Sequence, residues 1–118
     1  MLDQKKADEL EAIAQNIGLD VIIEIHNKEE LERAINMQSE LIGINNRNLN
    51  NFETGIETTI ELSNYIGDLN KIFISESGFN SHFNVNKITS LTGINNFLIG
   101  EYLMKSKQLS SDIANILN

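Results

Sequence analysis

The feature that most limits how this chain can fold is a regular alternation of short apolar runs with segments of helical periodicity. Four such runs, rich in β-branched or aromatic residues, begin near Val21, Leu41, Lys71 and Phe97. Continuous apolar runs of this length are typical of parallel strands buried on both faces. The resulting order α-β-α-β-α-β-α-β-α predicts an α/β fold with one parallel sheet and right-handed crossovers.

Capping residues and glycines indicate where the helices begin and end. Gly18 and Gly93 stand where glycine commonly follows the last helical residue. A helix can begin at Ser, Thr, Asn or Asp followed three residues later by Glu. Five helices are predicted in this way. The first covers residues 4–17, the second begins at Asn27 with Glu30, and the third begins at Thr54 with Glu57 and continues to about Ile66. The fourth begins at Asn80 or Ser81 and ends at Gly93, and the fifth begins at Ser106.

Length and composition narrow the architecture and exclude several classes of protein. The 118 residues suit a single domain covering residues 1–118. Two arrangements fit the alternation: an open doubly wound sheet, or part of a (β/α)₈ barrel, which needs about 250 residues when complete. A net charge of −8 with scattered basic residues argues against nucleic-acid binding. The absence of cysteine excludes disulfides and fits the cytoplasm, and no membrane span or signal peptide is apparent.

Polar residues follow three of the predicted strands. Glu24, Asn45 and Glu76 each occupy a strand end, and strand alternation allows all three to point to one face. Functional groups of parallel α/β proteins gather at the carboxyl ends of the strands. We therefore expect two carboxylates and an amide at one mouth, although a single strand-terminal Glu or Asn is more often a solvated turn residue or a cap.

A glycine next to a polar residue at each of the last two strand ends predicts a phosphate site. Backbone N–H groups at Ser77 and Gly78, and at Gly100 and Glu101, could approach a phosphate closely. Arg47, directly after the second strand, is a further candidate for holding an anion. No nucleotide-binding glycine motif is present. His26 and His82 have no metal-ligand spacing around them, and we interpret them as loop and helix-surface residues, so no metal or cofactor is expected.

The strand ends together resemble one family, the indole-3-glycerol-phosphate synthases. The matching segments are residues 20–26 (DVIIEIH), 41–49 (LIGINNRNL), 74–78 (ISESG) and 97–104 (FLIGEYLM). The resemblance runs in order over essentially the whole chain. It implies half of a (β/α)₈ barrel, from helix 4 to helix 8, with four parallel strands and five helices.

The resemblance also implies an activity. Members of this family close the indole ring of 1-(o-carboxyphenylamino)-1-deoxyribulose 5-phosphate with loss of carbon dioxide and water, in tryptophan biosynthesis, without cofactor or metal. By motif, Glu24 and Glu76 would be the carboxylates of strands 5 and 7, and Asn45 would orient the substrate. The substrate and its phosphate would be bound by Arg47, Ser77, Gly78, Gly100 and Glu101.

Two departures from the family pattern limit that expectation. The family's catalytic lysines lie on strands 1 and 3, and Lys5, Lys6 and Lys71 do not occupy such motif positions. This chain by itself is therefore expected to be nearly inactive. Tyr102 stands where many members have a small residue, a minor change because backbone groups are expected to bind the phosphate there.

Two alternatives stay open at this stage. One is a non-catalytic half-barrel that binds phosphate or assembles with itself. A half-barrel leaves strand edges and one apolar sheet face uncovered, so we expect a homodimer or pairing with an N-terminal half-barrel. The residues expected on that face include Ile22, Leu41, Ile72 and Ile74. The other alternative is a related phosphate-binding barrel such as a phosphoribosylanthranilate isomerase, against which residues 43–49 argue.

Overall fold

The structure, a computed structural model, describes residues 3–47, 55–67, 69–79 and 81–118. It contains one parallel sheet with the strand order β1-β2-β3-β4. Its strands are β1 (Ile22–Ile25), β2 (Leu41–Asn45), β3 (Ile72–Glu76) and β4 (Asn96–Leu98). Each strand lies beside the one that precedes it in the chain, without the reversal of order that defines a doubly wound sheet. The prediction of a partial (β/α)₈ barrel is therefore confirmed.

Six helices accompany these strands in the described residues, one more than expected. They are α1 (Gln4–Asn16), α2 (Lys28–Ala34), α3 (Glu57–Leu62) with the 3₁₀ turn Ser63–Tyr65, α4 (His82–Thr92), α5 (Glu101–Met104) and α6 (Leu109–Leu117). The additional helix is α5, whose four residues are too few to display a helical period. The last helix begins at Leu109 and not at Ser106, because the Ser106 hydroxyl accepts the Gln108 N–H at 3.0 Å in the turn before it.

Helix boundaries agree with several of the predicted capping residues. The Asn27 side chain accepts the Glu30 N–H at 2.9 Å. Gly18 and Gly93 follow α1 and α4 with φ values of 84° and 77°, a backbone region that favours glycine. Ser81 precedes α4 but makes no capping bond from its side chain. Thr54 and Asn80 lie outside the described residues.

One face of the sheet packs against helices to form the hydrophobic core. The strands contribute Ile25, Ile42, Ile44 and Phe73, and helices contribute Leu31, Ala34, Leu62 and Ile88. Helix α1 is attached mainly through a polar contact: the buried Glu11 carboxylate accepts the N–H groups of Gln38 at 2.9 Å and Ser39 at 2.8 Å. Within the described ranges, no helix has both the length and the apolar character needed to cross a membrane.

The opposite face of the sheet is incompletely covered. Ile22, Ile72 and Leu98 are 47%, 46% and 55% exposed. The strand register places Ile22, Leu41 and Ile72 side by side, and Leu41 is half-buried like Ile74. The predicted uncovered apolar face is therefore present, although two of its four expected residues are only partly exposed.

Candidate active site

The strand register brings the three predicted strand-end residues to one face of the sheet. Glu24 lies opposite Gly43, and Asn45 lies opposite Glu76. The Asn45 side chain donates from Nδ2 to Glu24 Oε1 at 2.8 Å, while its Oδ1 accepts the Arg47 N–H at 2.9 Å. Asn45 thereby fixes the Glu24 carboxylate and begins the turn that follows β2.

The two carboxyl groups at this mouth have different surroundings. Glu76 is 4% exposed, whereas the Glu24 side chain is 50% exposed. Burial raises the pKa of Glu76, and the neighbouring Glu24 carboxylate raises it further against a smaller lowering effect of His26. Glu76 is therefore suited to hold a proton that an exposed carboxylate would release, which is the usual requirement for a general acid.

His26 lies in the bend after β1, as expected for a loop residue, and its side chain also contacts carboxylates at the mouth. Its Nδ1 lies 3.2 Å from Oε2 of Glu30, and the same oxygen accepts the His26 backbone N–H at 2.9 Å. Its Nε2 lies 3.4 Å from Glu24 Oε1. These contacts could not be predicted, because His26 lies just beyond the strand, where side-chain direction depends on the following turn.

A buried polar network behind the mouth joins the ends of β2 and β3. Asn46 donates from Nδ2 to Ser75 Oγ at 3.1 Å and to the carbonyls of Glu76 and Ser77 at 3.1 and 3.0 Å. Its Oδ1 accepts the N–H and hydroxyl of Thr59 at 3.0 and 2.9 Å. Thr59 and Ser75 hydroxyls are 2.6 Å apart. This network was missed, since a second Asn after a strand resembles an ordinary turn residue.

Ser77 and Gly78 form a tight turn directly after β3. Both have positive φ, 66° and 85°. A side chain at residue 78 is also excluded by space, because a Cβ there would lie 2.6 Å from the carbonyl oxygen of Gly55. Residue 78 of this turn therefore needs to be glycine for two separate reasons.

A cavity of about 270 Å³ lies between the turns that follow β3 and β4. Its lining residues are Ser77, Gly78, Phe79, Ile99, Gly100, Glu101, Tyr102 and Lys105. A Cβ on Gly100 would meet no atom within 4 Å, so the protein itself does not require glycine there. The four residues predicted for phosphate binding at the last two strand ends thus line one cavity. Burial, followed by the Asp112 carboxylate, raises the pKa of Tyr102 at its rim.

Arg47 reaches across the mouth to the last turn. Its guanidinium group forms an ion pair with the Glu101 carboxylate, which also accepts from Lys105 Nζ at 2.8 Å. Lys105 and then Arg47 hold the pKa of Glu101 below its usual range. Arg47, which was predicted to bind an anion, is therefore close to the cavity, but its guanidinium group is already paired with the Glu101 carboxylate. Among the described residues no group of three or more potential metal ligands occurs.

Comparison with known proteins agrees with this geometry. The model of the family "Indole-3-glycerol phosphate synthase" matches residues 1–116. The chain belongs to the indole-3-glycerol phosphate synthase family. Its resemblance in four strand-end motifs is thus confirmed, and the isomerase alternative is set aside.

Relatives in this family are considerably longer than the chain. It is 50% identical over 111 residues to indole-3-glycerol phosphate synthase 2 of Ralstonia nicotianae, covering 94% of this chain and 41% of the relative. It is 38% identical over 113 residues to the indole-3-glycerol phosphate synthase of Burkholderia cenocepacia, covering 96% and 42%. The chain therefore spans about two fifths of the length of the synthases it matches.

Proposed function

We propose that this chain supplies the phosphate-binding half of an indole-3-glycerol-phosphate synthase active site. The observation that carries the proposal is the convergence of Glu24, Asn45 and Glu76 on one mouth, beside the cavity lined by Gly78 and Gly100. The substrate would be 1-(o-carboxyphenylamino)-1-deoxyribulose 5-phosphate, as the family implies. The setting would be tryptophan biosynthesis in the cytoplasm, with neither metal nor cofactor.

The surroundings of the two carboxyl groups support separate proton-transfer roles. Ring closure attacks a carbonyl carbon, so the oxygen that becomes an alkoxide must receive a proton. Glu76, whose pKa is raised by burial, would hold and deliver a proton during the later dehydration. Glu24 is more exposed and is oriented by a hydrogen bond from Asn45, so it would take up a proton as the base. Asn45 would orient both Glu24 and the substrate.

The phosphate would lie in the cavity between the last two turns. Gly78, Gly100 and Glu101 would offer backbone N–H groups there. Ser77 would add its hydroxyl, because its own N–H donates to the Leu98 carbonyl at 3.2 Å. Arg47 and Lys105 would add positive charge after releasing the Glu101 carboxylate. An incoming phosphate dianion therefore competes with Glu101 for both cations, and its affinity should fall as salt concentration rises.

The position of the lysines supports the expectation that the chain alone turns over slowly. Lys71 directly precedes β3, at the end of the strand opposite to the mouth, and its Nζ donates to the carbonyls of Met37 at 2.8 Å and Ser39 at 2.6 Å. No lysine occurs in residues 29–70, which include the loop after β2. Without the general-acid lysine that the family carries on strand 3, the rate should be about 10²–10⁴-fold below that of a synthase that has it.

Ligand titration monitored by NMR tests the proposal. Amide resonances of the isotope-labelled chain are followed while indole-3-glycerol phosphate is added, and inorganic phosphate is added to a second sample. We expect the largest shifts at Ser77, Gly78, Gly100 and Glu101 with both ligands, and shifts near Glu24 and Asn45 with the organic ligand alone. Binding elsewhere, or none at millimolar ligand, contradicts the proposal.

Self-association or pairing with an N-terminal half-barrel is a second proposal, favoured by the uncovered sheet face. Exposed Ile22, Ile72 and Leu98 contribute to an apolar surface that monomeric proteins rarely leave in water. The outer edge of β1 also borders a cavity of about 510 Å³ beneath α1. Sedimentation at micromolar concentration should therefore detect a dimer, and Ile72→Lys should abolish it. A monodisperse monomer of the unmodified chain excludes the dimer, and mixing with a separately produced N-terminal half then tests pairing.

A further inference from the structure

The imidazole of His26 lies between two carboxyl groups at the edge of the mouth. On one side, Glu30 Oε2 is 3.2 Å from Nδ1 and also accepts the His26 backbone N–H. On the other side, Glu24 Oε1 is 3.4 Å from Nε2 without the geometry of a hydrogen bond. Among the described residues, Nε2 is the only buried side-chain nitrogen or oxygen atom that lacks a hydrogen-bond partner.

Glu30 determines how the ring is oriented. Its carboxylate only accepts hydrogen bonds when ionised, so Nδ1 must carry the hydrogen between the two groups. Glu30 is 9% exposed and is itself fixed because Asn27 caps α2 at the Glu30 N–H. The neutral ring consequently presents an unprotonated Nε2 towards Glu24, and a second proton on Nε2 would make it a donor to that carboxylate.

A buried nitrogen without a partner normally costs free energy, so such an atom calls for an explanation. We propose that His26 is a positioning residue that acts through Glu24. Glu30 orients its imidazole, and the imidazole exchanges a proton with the Glu24 carboxylate. In this step the Nε2–H bond breaks and an O–H bond forms at Glu24 Oε1, while Nδ1 keeps its hydrogen bonded to Glu30. The reverse step restores the imidazolium. The inference rests on the proposed function, since it assigns a partner to the carboxylate that handles protons there.

The charges around the ring are consistent with this role. Glu24 of β1, Glu30 of α2 and Glu76 of β3 are charged groups near the imidazole, and Arg33 of α2 lines the same cavity as Glu24 and Glu30. The two carboxyl groups closest to the ring are those of Glu24 and Glu30, at 3.4 and 3.2 Å from its nitrogens. His26 in turn opposes the effect of Glu24 on the pKa of Glu76.

The chain contains a matched control in its other histidine. His82 opens α4, and its Nδ1 contacts the Ile116 carbonyl at 3.0 Å, away from the mouth. The experiment records side-chain carboxyl ¹³C resonances of Glu24 and Glu76 against pH in the unmodified chain, in His26→Gln and in His82→Gln. His26→Gln should change the pH dependence of the Glu24 resonance, and it should move the Glu76 titration upward because His26 lowers the pKa of Glu76. His82→Gln should leave both curves unchanged.

A second measurement does not depend on a folded variant. Side-chain ¹⁵N shifts of the unmodified chain report which ring nitrogen of His26 carries hydrogen at high pH. Hydrogen on Nδ1 supports the proposal, and hydrogen on Nε2 overturns it. Unchanged carboxyl titrations in a folded His26→Gln also overturn it.

Ligand binding separates this inference from the proposed function. If indole-3-glycerol phosphate fails to bind but the Glu24 titration still depends on His26, the proposed function fails and the proton exchange stands. If the ligand binds and the titration is independent of His26, the proposed function stands and the role of His26 is rejected.

Discussion

The carboxyl group of Glu76 occupies the space into which a side chain at residue 43 would extend. A Cβ on Gly43 would lie 2.6 Å from Cδ of Glu76 and 3.1 Å from Cγ2 of Ile22. Gly43 is in the middle of β2, where glycine ordinarily weakens a strand. Its presence is explained by this close approach, which lets the Glu76 side chain lie flat across the sheet towards Glu24.

Gly43→Ala should therefore displace the Glu76 carboxyl group. We expect the free energy of unfolding to fall by about 2 kcal/mol, as for other insertions of a methyl group into a packed site. Urea unfolding measures the loss. Gly67→Ala is the control, since a Cβ at Gly67 meets no atom within 4 Å. The double variant with Glu76→Ala should recover much of the loss, and strictly additive effects would show that the two residues do not interact.

The raised pKa of Glu76 predicts how stability depends on pH. The folded chain holds a proton on Glu76 at pH values where the unfolded chain, with an ordinary pKa of 4.5, has released it. The stability that this group contributes is present below its ordinary pKa of 4.5. It is lost as the pH rises from 4.5 through the raised pKa of the folded chain. Glu76→Gln keeps the shape and removes the ionisation, so its stability relative to the unmodified chain should increase with pH.

Urea unfolding at about pH 4 and about pH 8 measures this difference. Glu9→Gln, an exposed substitution on α1, is the control and should give the same difference at both pH values. A Glu76→Gln profile parallel to that of the unmodified chain would mean that burial does not perturb the group.

The Asn46 network predicts a stability effect at a residue that touches no expected ligand. Asn46→Ala should remove the hydrogen bonds of its side chain to the Thr59 N–H and the Ser77 carbonyl in a buried place. It also removes one bond each from Ser75 and the Glu76 carbonyl, which keep the Thr59 hydroxyl and the backbone N–H of residue 46 as partners. The expected loss is about 3 kcal/mol in urea unfolding, because unsatisfied buried polar groups retain their desolvation cost. Asn64→Ala, which removes one exposed bond to the Glu61 carbonyl, should cost less than about 0.5 kcal/mol. Similar losses for both variants would contradict this account.

Gly78 and Gly93 allow backbone strain to be separated from crowding. Both have positive φ, but a Cβ at Gly93 meets no atom within 4 Å, whereas one at Gly78 meets the Gly55 carbonyl. Gly93→Ala should cost about 1 kcal/mol for the left-handed backbone alone. Gly78→Ala should cost about 3 kcal/mol and abolish phosphate-induced amide shifts. Equal costs in thermal unfolding would exclude a contribution from the contact with Gly55.

Much of the fold could be predicted from periodicity, because strands and helices longer than a few residues impose their repeat on the sequence. Four strands and five helices were placed in the correct order, and Gly18, Asn27 and Gly93 marked helix ends correctly. The short α5 could not be predicted, since its four residues follow from the turn after β4 and not from a repeat. Likewise the start of α6 depended on a hydrogen bond of Ser106.

The sequence by itself determined that Glu24, Asn45 and Glu76 end neighbouring strands, because strand alternation is a local property of the backbone. Tertiary structure alone decided which charges meet at those ends. His26 faces Glu24 only because α2 places Glu30 beneath it, and Asn46 became a buried junction only because Thr59 and Ser75 close around it. Arg47 likewise pairs with Glu101, far away in the chain, because β2 and β4 end at one mouth. Local periodicity fixes the direction of side chains along a strand and the order of strands and helices in the chain. Contacts between distant side chains depend on how whole elements pack together.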